Sequence, residues 1–78
     1  MLRKYTKREI KEYIRNGFAT DITKLNFTKL KELRKSHNLE QVGYVPGKYG
    51  IAAGMLQDRN TGEMFAILER NSTLLAMF

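Results

Sequence analysis

The sequence predicts an α+β fold: two N-terminal helices packed on an antiparallel β-meander of three or four strands, in the order α-α-β-β-β-β. Three observations lead there. Apolar residues recur at helical spacing up to residue 37 and at strand spacing beyond it. The turn formers Pro46-Gly47 and Asp58-Arg59-Asn60-Thr61-Gly62 separate the strand-like runs. No helical pattern falls between those runs, so parallel βαβ units are not expected.

Helix 1 is predicted over about 7–16. Thr6-Lys7-Arg8-Glu9 has the spacing of a capping box, in which the Thr hydroxyl takes the third amide and the Glu reaches back. Ile10, Tyr13 and Ile14 supply the buried stripe, and Gly17 suits a left-handed C-cap with Phe18 folding back onto the last turn. Thr20-Asp21-Ile22-Thr23 reads as a turn, with Ile22 and Leu25 pinned to the core. Helix 2 is predicted over about 28–37. Asn26 or Thr28 caps it, Phe27, Leu30 and Leu33 form its stripe, and Asn38 ends it in the left-handed conformation.

The period then changes. Gln41 to Val45 reads as a strand, followed by a Pro46-Gly47 turn and a second strand from Ile51 to Gln57. Asp58 to Gly62 suits a type I turn closed by a glycine bulge. Glu63 to Glu69 and Thr73 to Phe78 complete the meander. The last two strands are apolar on both faces, which calls for cover on two sides. Two helices on one face cannot provide it, so a second copy or a partner is expected to complete the sheet.

The chain of 78 residues reads as one small domain. At this size only about 60% of the unfolded surface is buried, so the core is small. There is no Cys for a disulfide and no Cys/His cluster for a metal, and no cofactor is expected. The first residues are basic without a following apolar run, and the longest apolar stretch, Leu74 to Phe78, is far below the roughly 20 residues of a spanning helix. A cytoplasmic protein with no membrane partner is the expectation.

Charge is divided unevenly. Residues 1–38 hold eleven Lys/Arg against four Asp/Glu, a net of +7, whereas residues 39–78 hold three against four, a net of −1. A basic half of this kind points to a polyanion, either nucleic acid or an acidic protein. Lys7, Lys11 and Arg15 recur every four residues with Arg8 beside them, so at about 100° per residue they form one stripe away from Ile10 and Tyr13. That stripe could follow a phosphate backbone; the competing reading is a solvated face in which Arg8 pairs with Glu12. Lys24, Lys29, Lys31, Arg34 and Lys35 give the second helix a more scattered set, with Arg3 and Lys4 in the tail. Lys48 and Tyr49, displayed between Gly47 and Gly50, form a basic-aromatic tip suited to stacking on a base.

The remaining candidates carry less. His37 follows Ser36 directly, and adjacent helical side chains diverge by about 100°, so they form no nucleophilic dyad; a half-buried His at a helix end is expected. Asp21, Asp58, Glu63 and Glu69 have no dedicated spacing, and salt bridges at the sheet rim with Arg59 or Arg70 are expected. No set supplies nucleophile, base and stabiliser together, so no enzyme is predicted. The chain reads as a small binding protein, in the first place a nucleic-acid-binding accessory or regulatory protein contacting DNA or RNA through Lys7, Arg8, Lys11, Arg15, Lys48 and Tyr49. The alternative is a protein-binding adaptor or inhibitor using apolar strand surface, with a homodimer through the C-terminal strands as a related possibility. Small size and a composition favouring Lys, Asn and Ile resemble the style of phage and mobile-element accessory proteins, without a motif that would carry a site over.

Overall fold

The computed structural model describes residues 2–46 and 54–68. Within them the chain runs β1 (Arg3–Lys4), α1 (Lys7–Arg15), β2 (Ala19–Asp21), α2 (Phe27–Ser36), β3 (Leu39–Tyr44), β4 (Gly54–Asp58) and β5 (Met64–Ile67). The five strands form one mixed sheet in the order β1-β3-β4-β5-β2. β3, β4 and β5 are the expected antiparallel meander. β1 runs parallel to β3, and β2 parallel to β5.

The fold is α+β, but its helices are interleaved with strands rather than paired ahead of a meander. β1 and β2 are the cause. They have two and three residues, too few to show a period, and Arg3, Lys4, Thr20 and Asp21 are exposed polar residues. Their ladders come from main-chain groups, as where the Ile22 amide donates to the Ala66 carbonyl at 2.8 Å, so side-chain pattern carries no trace of them. With them in place, α1 links the parallel strands β1 and β2, and α2 links β2 to the parallel β3, contrary to the expectation of no parallel crossover.

This connectivity also settles how the sheet is covered. α1 carries the chain from one edge of the sheet to the other, and α2 carries it back. Crossovers of one hand travelling in opposite directions place their helices on opposite faces. The core is accordingly two clusters. Ile10, Tyr13 and Ile14 of α1 pack with Tyr5, Ala19, Val45, Met55 and Ala66. Leu30 and Leu33 of α2 pack with Ile22, Leu56, Phe65 and Ile67 on the other side. Neighbours Met55 and Leu56, like Ala66 and Ile67, point to different faces with the period of two that a strand imposes. The two-sided apolar character of β5 is therefore met by one helix per face, and needs no second copy among the described residues.

The helix ends match their local chemistry. Thr6 and Glu9 form the reciprocal capping box, with Thr6 Oγ1 accepting from the Glu9 amide at 3.1 Å and Glu9 Oε1 accepting from the Thr6 amide at 3.2 Å. Asn26 caps α2 by accepting from the Lys29 amide at 2.9 Å. Gly17 and Gly62 adopt positive φ, closing α1 and the β4–β5 hairpin as their neighbours require. Three local expectations fail. Thr20 and Asp21, expected in a turn, pair with β5 as part of β2. α2 ends at His37 in an extended conformation and runs directly into β3, so Asn38 is not left-handed. Phe18 does not fold back to be covered; it is 66% exposed. The Gly47–Gly50 tip, the early residues of the second predicted strand and the predicted fourth strand at Thr73–Phe78 lie outside the described residues.

Candidate nucleic-acid interface

The cations of α1 sit where its buried stripe leaves them. Ile10 is fully buried against the sheet, and 100° of rotation per residue sets Lys11 and Arg15 on one flank with Lys7 and Arg8 beside them. Lys11, Arg15 and Arg8 are exposed and Lys7 is half-buried. Of the two acids, Glu9 is engaged in the capping box, and Glu12, at the outer edge of the stripe, accepts a weak pair from Arg8 at 3.7 Å. Both Arg8 and Glu12 are largely solvated, so their pair contributes a few tenths of a kcal/mol at most, as expected for exposed ions four residues apart.

Lys7 and Arg8 occupy the first turn, where the positive end of the helix dipole disfavours cations by a few tenths of a kcal/mol. Helix stability does not favour cations there, and a bound phosphate would reverse that sign. The chain also leaves β3 after Tyr44 beside the start of α1, because β1 pairs with β3 through Lys4 and Tyr44. Lys48 and Tyr49 follow four and five residues later in sequence and lie outside the described residues.

The basic residues of α2 do not extend this surface. They lie across the sheet on the opposite outer layer, where Lys31, Arg34 and Lys35 line an open hollow of about 290 Å³. A second hollow, about 220 Å³, lies along the acidic flank of α1 between Glu9, Glu12, Tyr13, Asn16 and the exposed Phe18. The +7 half of the sequence is thus divided over two faces, which no reading of linear charge could show.

His37 and Asp58 form a contact that sequence reasoning missed. His37 Nδ1 lies 2.8 Å from Asp58 Oδ2, and the imidazole packs edge-on against Phe65 with ring centroids 5.2 Å apart. Asp58 is only 3% exposed, whereas the His37 side chain is 26% exposed. The other carboxylate oxygen, Oδ1, accepts from the Asn60 amide at 2.8 Å and so fixes the hairpin turn. Arg59 adds two links between the same elements: its amide donates to the Asn38 carbonyl at 2.9 Å, and its guanidinium meets Glu40 at 2.8 Å. Arg59 therefore pairs across β3–β4 at the rim, while Asp58 is an interior group and not a rim ion pair. The contact follows from the pairing register: Leu39 stands opposite Asp58, which brings the end of α2 to the start of the hairpin turn.

The imidazole bond holds the Asp58 carboxyl below its ordinary range, aided by the Asn60 amide, opposed by burial and aided again by Thr61. The folded state thus binds this proton less readily than the unfolded chain. The stabilisation is present above the ordinary carboxylate pKa and is lost as pH falls through it towards the lowered value. Between about pH 5 and pH 3, the urea midpoint of the native protein should fall by more than that of Asp58→Asn. Equal falls in both proteins would remove Asp58 as an acid-sensitive element.

A His held by a buried carboxylate is half of a general-base arrangement. The adjacent hydroxyl does not complete it, because Ser36 Oγ donates back to the Glu32 and Leu33 carbonyls at 3.2 and 3.1 Å. Among the described residues no three His, Cys, Asp or Glu side chains gather to hold a metal, and no helix is long and apolar enough to cross a membrane. Compared with protein-family models, curated proteins and solved structures, the chain matches none.

Proposed function

We propose that this chain is a non-enzymatic nucleic-acid-binding accessory or regulatory protein that grips the phosphodiester backbone with the basic flank of α1. The observation that carries the reading is the alignment of Lys7, Lys11 and Arg15, with Arg8, along one outward flank, where Glu9 is engaged in the capping box and Glu12 meets Arg8 only weakly at 3.7 Å. Cations repeated every four residues, about 6 Å along the helix axis, are placed to meet successive points of a phosphate backbone. Such contacts fix position on the polymer without reading bases, so sequence-independent binding is the expected behaviour. Lys48 and Tyr49, which follow β3 in the sequence, are proposed to add to this surface.

A second reading, a protein-binding adaptor or inhibitor, is favoured by a different feature from the one that first suggested it. Both faces of the described strands are covered by helices. Phe18, 66% exposed at the mouth of the hollow beside Tyr13, Glu9 and Glu12, is the apolar group a protein partner would engage.

Fluorescence anisotropy with duplex and single-stranded DNA, titrated from low to physiological salt, separates the two. Four phosphate contacts on duplex DNA give a slope of about −3.6 in log affinity against log salt. The Lys11→Glu/Arg15→Glu protein should bind at least about tenfold more weakly, with a slope shallower by about 1.8. Unchanged affinity in that protein, or no binding by the native one at low salt, would overturn the reading and leave Phe18 as the place to look for a partner.

A further inference from the structure

The two helices repeat one arrangement. In α1 the fully buried residue is Ile10, and cations follow one and five positions later, at Lys11 and Arg15. Among the described side chains of α2 the fully buried residue is Leu30, and cations again follow one and five positions later, at Lys31 and Lys35. One and five positions correspond to about 100° and 140° of rotation from the buried direction, so each helix carries its pair on the same flank relative to its own core.

The topology then separates the two flanks. Each helix returns from the end of one strand to the start of a strand parallel to it, so α1 and α2 run in the same direction on opposite faces of the sheet. For parallel helices facing each other through a sheet, an equal rotation from the buried direction points to opposite sides. Lys11 and Arg15 therefore lie diagonally across the molecule from Lys31 and Lys35, in a body measuring 30 × 25 × 24 Å. A duplex held at the α1 flank has a helix about 10–12 Å wide and then the sheet between it and the α2 flank. Charges at that separation are screened at physiological salt, where the Debye length is about 8 Å. One segment of duplex cannot use both flanks.

Resting on the nucleic-acid reading above, we infer that the α2 flank, Lys31 and Lys35 with Arg34, is a second phosphate-binding surface, and that one molecule bridges two separate segments of duplex DNA. The hollow lined by Lys31, Arg34 and Lys35 is the place where the second backbone sits. Three cations there against four at α1 make it the weaker of the two surfaces.

The test is a bridging assay. One DNA duplex is tethered to beads, a second labelled duplex is free, and the protein is added at low salt. The native protein should retain the labelled duplex. Lys31→Glu/Lys35→Glu should bind a single duplex in anisotropy within about threefold of the native protein, yet retain at least tenfold less labelled duplex. Circular dichroism confirms that the variant is folded, and Lys31→Gln/Lys35→Gln provides a milder version of the same change. If the native protein binds single duplexes but retains no second one, bridging is wrong and the α1 reading stands. If the α2 variants bridge undiminished, two copies are joining through some other surface and the inference falls. If the native protein binds no DNA in anisotropy, both fall together.

Discussion

Truncating Leu56 to Ala should cost about 2–5 kcal/mol, and truncating its neighbour Met55 to Ala should cost a similar amount. Both side chains are fully buried, but in different clusters: Leu56 lies under α2 with Leu30, Phe65 and Ile67, and Met55 lies under α1 with Ile10 and Ala66. A folded chain of this length has about 4–12 kcal/mol of total stability, so either change brings it close to unfolding. The pair also tests the architecture. On a central strand of a sheet with one covered face, two successive residues would differ sharply, one severe and the other within about 0.5 kcal/mol of neutral. Urea denaturation of the two proteins distinguishes the cases. A near-neutral result for either residue would mean that its face of the sheet is open, and would restore the expectation of a partner covering it.

That contrast marks the limit of what the sequence revealed. Elements with their own side-chain chemistry were legible. The Thr6–Glu9 capping box, the Ile10-Tyr13-Ile14 stripe, the Asn26 cap and the glycine-closed hairpin at Asp58–Gly62 all stand where residue pattern placed them. β1 and β2 were not legible, because two or three exposed residues held by main-chain bonds leave no periodic signature. Missing them had consequences out of proportion to their five residues. Without parallel strands at the two edges, the helices had no reason to separate, and the apolar faces of Met64–Ile67 looked unpaired. The cations were legible as a stripe on α1, but their division between two faces depends on the same missed crossovers. The His37–Asp58 contact spans 21 residues and follows from the pairing of β3 with β4, so it too belongs to tertiary structure.

Replacing Gly54 by Ala should destabilise the protein by about 3 kcal/mol, although the general rule for a glycine inside a strand has the opposite sign. Gly to Ala normally stabilises a strand by roughly 0.5–1 kcal/mol, because alanine has less chain entropy to lose. Gly54 stands opposite Tyr44 where β3 and β4 draw together, next to a bulge between Gln41 and Gly43. A β-carbon at Gly54 would overlap the Gly43 carbonyl oxygen and stand 3.0 Å from the Tyr44 α-carbon and 3.1 Å from the Gly43 carbonyl carbon. All three atoms are backbone, so no side chain can turn aside to make room. Relief requires β3 to move away, and β3 also holds the edge strand, since the Tyr5 amide donates to the Tyr44 carbonyl at 2.8 Å. Tyr5 in turn lies over Gly43, whose own β-carbon would enter the Tyr5 ring. The glycines at 43 and 54 thus let three chain segments stack where a methyl group on either would force them apart. The expected result is a lower urea midpoint for Gly54→Ala with an unchanged slope, the mark of lost stability without a change in surface exposed. A neutral or raised midpoint would show that β3 and β4 do not approach closely at Tyr44, and with it the seating of β1 and Tyr5 beside the start of α1 would have to be redrawn.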